Sequence, residues 1–138
     1  MTNREPLLVV ENLVKHYPAG SGLLLNRGGA IKAVDGISFT LARGETLGLV
    51  GESGCGKSTT GKVIVNLEKA QSGSVEYEGI DVLAVPRRER LAVRRRIQMI
   101  FQDPYGSLNQ RMTVHDIVAE PLIVHSLSGS REERRRRV

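Results

Sequence analysis

Thr46-Leu47-Gly48-Leu49-Val50-Gly51-Glu52-Ser53-Gly54-Cys55-Gly56-Lys57-Ser58 reads as a short apolar strand running into a glycine loop. From Gly51 onward it satisfies the spacing G-x-x-x-x-G-K-[ST]. Ser58 to Leu67 continues as a predicted helix with Val63, Ile64 and Leu67 on one face. Strand, glycine loop and helix start in that order form a cradle for the phosphates of a nucleoside triphosphate. Gly51, Gly54 and Gly56 let the backbone turn tightly, so that successive N–H groups converge on one concavity. The helix that follows adds the partial positive charge of its N-terminus.

The side chains of the loop have separable tasks. Lys57 is placed to reach the β- and γ-phosphates, and the Ser58 hydroxyl to complete a Mg²⁺ shell. Thr59 is placed toward the α-phosphate. Ser53 and Cys55 occupy variable positions of the loop, where their backbone lines the phosphates. A bulky group on Cys55 is expected to crowd that site.

Outward from the loop, Leu7–Leu13 and Ala33–Leu41 read as strands, with Arg43-Gly44-Glu45 turning the chain into Thr46–Val50. Residues 20–30 are punctuated by glycine and read as a loop, with Leu23–Leu25 packing back or touching a partner. Ser74 to Glu78 alternates strictly, as a half-buried strand does. Pro86 is expected to open an arginine-rich helix at its first position. Ile97–Phe101 reads as a buried strand that delivers Gln102 at its end. Thr113 and Asp116 have capping spacing ahead of the Val114, Ile117, Val118 stripe, which Pro121 is expected to interrupt. Ser130 and Glu133 have capping-box spacing, and Glu132–Arg136 and Glu133–Arg137 are favourable i,i+4 pairs. Mixed strands followed by strand–loop–helix units indicate an α/β core with an added antiparallel layer.

The chain has 138 residues, 40% of them hydrophobic and 25% charged, which allows one soluble domain with a real core. No apolar run approaches the ~18 residues that span a bilayer, and the start MTNREPLLVV shows no secretory signal pattern. Cys55 is the single cysteine, which excludes an internal disulfide and fits a reducing cytoplasm. The net charge of +5 is concentrated in two arginine runs, 87–96 and 131–137. Outside them the balance is acidic, so solvated helix faces explain the runs better than nucleic-acid contact.

Three residues outside the loop bear on ligand binding. Tyr17, placed in a loop after the first strand, could stack on a purine or simply pack, and the local sequence favours packing. Gln102 lies beyond the carboxyl end of a predicted strand, where α/β proteins place ligands. Phe39 and Phe101 read as core. His16, His115 and His125 have no partner at metal-ligand spacing and are assigned no metal.

AVDGISFTLARGETLGLVGESGCGKSTTGKVI followed by MIFQDPYGSLNQRMTVHDIVAEPL resembles the ATP-binding subunit of oligopeptide and dipeptide ABC importers. The resemblance implies an α/β P-loop ABC ATPase core, an N-terminal antiparallel β-subdomain, and the start of a helical subdomain. The first two would reach to about residue 112 and the third would occupy about 113–138. It implies ATP and Mg²⁺ as cofactors, Tyr17 as the aromatic that stacks on adenine, and Gln102 as the Q-loop glutamine at the Mg²⁺ shell. Lys57 and Gln102 would be the catalytic contributors among these residues. Tyr105 and Met112 would lie near the permease. The implied partners are permease subunits, a second ATP-binding subunit and, indirectly, an extracytoplasmic solute-binding protein, with the protein peripheral at the cytoplasmic face of the membrane. Nickel and glutathione importers share much of the pattern.

The resemblance also implies elements that these residues do not contain: an LSGGQ signature, a Walker B strand ending in Asp-Glu, a D-loop and a switch histidine. Leu127-Ser128-Gly129-Ser130 lacks the second glycine and the glutamine of the signature, and Ser130 reads as a helix cap. The expectation is therefore the N-terminal half of a longer subunit, able to bind nucleotide but not to hydrolyse it alone. Without the Walker B strand the sheet would keep open apolar edges and only marginal stability. Two other readings are a non-transport ABC ATPase acting on nucleic acid or ribosomes, and a non-catalytic nucleotide-binding regulator.

Overall fold

The computed structural model describes residues 5–19, 29–103 and 105–138. The expected loop at 20–30, with Leu23–Leu25, falls almost wholly outside them. The chain divides into two compact units, one ending at Met99 and the other starting at Ile100.

The first unit is built on a four-stranded antiparallel sheet of order β2-β1-β3-β4. Its strands are β1 (Pro6–Pro18), β2 (Ala30–Ala42), β3 (Ser72–Tyr77) and β4 (Ile80–Asp81). Helix α1 (Lys57–Ile64) lies between β2 and β3 in sequence, and α2 (Arg90–Arg96) follows β4. β1 is paired on both edges: Val10 faces Phe39 of β2 and Val75 of β3. Strict alternation would carry Leu8, Val10 and Asn12 inward. Asn12 instead takes a left-handed conformation, φ 47°, at a break in both pairing registers. This bulge resets the pleat, so Leu8, Val10 and Leu13 are the residues buried. Gly73 supports the same irregularity, because a Cβ there would stand 2.5 Å from the Asn12 carbonyl oxygen.

Val63 of α1 and Val93 of α2 join Leu8, Val10, Leu13, Val34, Val75, Val82 and Val85 in one core. Phe39 is half-buried against it. α1 is shorter than its sequence pattern. Asn66, φ 55°, ends it in a left-handed turn, and Leu67 is left 54% exposed beyond the stripe begun by Val63. Pro86 heads the turn before α2 rather than the helix itself, with its carbonyl accepting from the amides of Glu89 (2.9 Å) and Arg90 (3.2 Å).

Two predicted strands do not form. Thr46–Val50 carries no strand pairing, and Leu47, Leu49 and Val50 are exposed. Ile97–Phe101 is likewise unpaired, with Ile100 96% exposed and Phe101 outside any core. A strand exists only through hydrogen bonds to a neighbour, and among the described residues neither segment has one.

The second unit contains α3 (Val114–Val124) and α4 (Arg131–Arg137). The Thr113 hydroxyl caps α3, accepting from the Asp116 amide at 3.2 Å. Pro121 lies inside α3 and does not end it. It removes one amide, but the next turn keeps its own bonds, including His125 N to the Pro121 carbonyl at 3.0 Å. Ser130 caps α4 by accepting from the Glu133 amide at 3.1 Å. Glu133 pairs with Arg137 at 2.7 Å, and among the described residues it is this i,i+4 pair that forms.

Candidate functional site

The loop from Gly51 to Ser58 closes onto the start of α1. The Cys55 amide donates to the Glu52 carbonyl at 3.3 Å, forming the turn that brings the chain round. Gly56 stands at the N-cap with φ 95°, and no side chain caps the helix. The amides at the start of α1 therefore have no intrahelical acceptor. Gly56 is fixed there by a close approach: a Cβ would lie 1.9 Å from the Ala33 carbonyl oxygen of β2. Thr60, buried, ties the first turn down by donating its hydroxyl to the Gly56 carbonyl at 3.0 Å.

The Lys57 ammonium donates to the carbonyl oxygens of Gly51 and Glu52, each at 2.6 Å, and to Cys55 Sγ at 3.3 Å. It is thus folded back over its own loop, held by neutral acceptors. Ser53, Gly54, Cys55 and Ser58 are exposed, while Thr59 is half-buried. Among the described residues, no group of three or more His, Cys, Asp or Glu could hold a metal ion.

Tyr17 lies on β1, not in a loop after it, paired in register with Ile31 of β2. It is thereby carried by the strand that borders β2, whose Ala33 backs Gly56. Its neighbourhood holds Lys15, Glu68, Lys32 and Asp35, which sequence reading did not single out, and His16, which it left without a partner. The Lys15 ammonium sits over its ring, 4.8 Å from the centroid, and meets Glu68 at 3.4 Å. His16 Nε2 meets Asp35 at 2.8 Å, and Lys32 donates to the same carboxylate at 2.9 Å. Hydrogen bonds from Lys32 and then His16 hold the Asp35 carboxyl below its ordinary value. The i,i+2 spacing of Lys15 and Tyr17 signals a shared face only once Tyr17 is placed on a strand.

Gln102 belongs to the second unit and is exposed. The residue after it organises a tight turn: Asp103 Oδ1 accepts from the amides of Tyr105 (3.0 Å) and Gly106 (2.9 Å). Pro104 lies outside the described residues.

A G-x-x-x-x-G-K-[ST] loop that closes onto an uncapped helix start, with Gly56 held against Ala33 of the sheet, gives the chain the form of a P-loop protein. The profile of the ABC transporter family matches residues 34–138, and the chain belongs to that family. It is 49% identical over 135 residues to the oligopeptide transport ATP-binding protein OppF of Bacillus subtilis, covering 97% of this chain and 42% of that protein. It is 45% identical over 134 residues to the dipeptide transport ATP-binding protein DppF of Escherichia coli, covering 97% of this chain and 40% of DppF. Among solved structures, the ATP-binding cassette MJ0796, as a dimer bound to ADP and Pi, superposes with a TM-score of 0.72 at 28% identity. That match takes in 94% of this chain and 53% of the cassette. The chain thus spans about two fifths of the length of the curated relatives it matches.

Proposed function

We propose that this chain carries the nucleotide-gripping portion of an ATP-binding subunit that energises peptide import. The observation that carries the reading is the uncapped start of α1 beside the Lys57 ammonium, which rests on loop carbonyls. A lysine held by neutral acceptors exchanges them readily for phosphate oxygens, which offer charge-assisted hydrogen bonds. The free amides of the loop and helix start suit the same anion.

In this reading Gly51, Ser53, Gly54, Cys55 and Gly56 wrap the phosphates with their backbone. Lys57 clamps the β- and γ-phosphates, Thr59 faces the α-phosphate, and Tyr17 stacks on adenine. A Mg²⁺ ion would be held by the Ser58 hydroxyl together with the nucleotide's own phosphates. A neutral oxygen donor suits an ion that arrives with phosphate rather than an all-protein site. Bound there, it would neutralise charge on the phosphates. The carboxylate that polarises water, and the signature that closes the site, belong to sequence motifs these 138 residues do not contain. The residues proposed here therefore bind and orient the nucleotide without cutting it. Tyr105, 80% exposed, and Met112 would meet a permease subunit. A second ATP-binding subunit and a solute-binding protein complete the proposed assembly, at the cytoplasmic face of the membrane. Among the described residues, no helix is long and apolar enough to cross a membrane.

The test is ATP binding by the intact protein with Lys57→Ala. Loss of one charge-assisted contact should weaken binding roughly 10- to 150-fold. Unchanged ATP affinity would overturn the phosphate role. In membrane vesicles holding the whole transporter, peptide uptake should require ATP and fail in the same variant.

A further inference from the structure

Lys15 and Tyr17 are two residues apart on β1, so their side chains leave the same face of the strand. The Lys15 ammonium lies over the Tyr17 ring at 4.8 Å from its centroid, a cation–π distance. Its other partner is Glu68, at 3.4 Å, with the lysine side chain only 14% exposed. Glu68 follows the end of α1, where its amide donates to the Lys62 carbonyl at 3.2 Å. Ring, ammonium and carboxylate thus form a stack that joins β1 to the far end of the helix whose start carries Lys57. The strand between is also fixed. Gln71 accepts from the His16 amide at 2.7 Å and donates to the His16 carbonyl at 2.6 Å.

We propose that Lys15 is a positioning residue for the purine base. Anchored by Glu68, it occupies one face of the Tyr17 ring and confines the base to the opposite face. The ring is also held in place before ligand arrives. A tyrosine without that cover would be ordered only on binding, and the ordering would subtract from affinity. The proposal rests on the reading of Tyr17 as the base platform, and it adds the group that presets the platform.

The test separates base from phosphate. Dissociation constants of ATP and of inorganic tripolyphosphate are measured on the intact protein and on Lys15→Met, Lys15→Arg, Glu68→Gln and Tyr17→Ala. Lys15→Met should weaken ATP roughly two- to fivefold and leave tripolyphosphate unchanged. Lys15→Arg, which keeps a cation over the ring, should restore ATP binding, whereas Glu68→Gln should move it in the direction of Lys15→Met. If Lys15→Met weakens both ligands by one factor, or neither, the proposal is overturned. Tyr17→Ala tells the two failures apart. A selective loss of ATP there, with none in Lys15→Met, removes Lys15 alone. An unchanged preference for ATP over tripolyphosphate in Tyr17→Ala removes the platform itself and Lys15 with it.

Discussion

The start of β1, Leu7–Val10, and the stretch Thr46–Val50 are both short runs dominated by leucine and valine, and each reads as a strand. β1 has β2 on one edge and β3 on the other, and its Leu13 is wholly buried. Thr46–Val50 has no strand beside it among the described residues, and its Val50 is 93% exposed. The two segments differ little in propensity. They differ in whether the chain supplies a neighbour. Local sequence selects which segments can pair, and the partner decides which of them do.

The largest expected effect sets these two segments against each other. In the 138-residue chain, Leu13→Ala should cost about 2–5 kcal/mol, as a truncation in a packed core does. Leu49→Ala should cost less than about 0.5 kcal/mol, as exposed substitutions do. Urea unfolding measures both, and amide exchange gives the same contrast, slow at Val9 to Val14 and fast at Leu47 to Val50. Equal costs would break the comparison, since they would mean that Leu49 is already packed. In a longer protein of the length its relatives have, a rise in the Leu49 cost and slowed exchange would sharpen it, by showing that a partner strand has arrived.

Gly56 lies where the unpaired approach meets the paired sheet. Gly56→Ala would need a left-handed conformation, φ 95°, and would drive its Cβ onto the Ala33 carbonyl oxygen. The conformational strain alone is about 1–3 kcal/mol. The start of α1 should move away from β2, and nucleotide affinity should fall together with stability. Thermal unfolding and ATP titration of the same variant check this. A variant with native stability and affinity would show that the loop is not braced by the sheet.

The glycine loop and the helix it opens are legible because their spacing is set by local backbone chemistry, glycines and a lysine within a few residues of one another. The caps at Thr113 and Ser130 were legible for the same reason. The bulge at Asn12 was not, since it depends on what the strands on both sides offer. Tyr17 reads as a loop residue because the apolar run that marks the first strand stops at Leu13, whereas β1 runs on to Pro18 through its pairing with β2. Lys15 and Glu68 meet across more than fifty residues of chain, and no local pattern brings such a pair together. Pro121 was read as a stop because its missing amide weakens a helix. The turn after it nonetheless closes on bonds of its own.

The smallest effect concerns the end of β1 that carries Tyr17. Asp35 receives hydrogen bonds from Lys32 and His16, and its carboxyl is held below the ordinary value of 3.8. A carboxyl whose folded value is depressed adds stability above its unfolded value and loses it as pH falls through the folded one. The contribution should therefore be complete at neutral pH and fade in acid below 3.8. The Asp35 side chain is about half accessible to solvent, at 49%, so water screens the pairs and the gain is slight. Urea midpoints of the parent and Asp35→Asn should differ a little at neutral pH and converge in acid. A difference that stays constant across that range would show that Asp35 acts by shape and not by charge. The contacts of Asp35 with His16 and Lys32 would then owe nothing to charge.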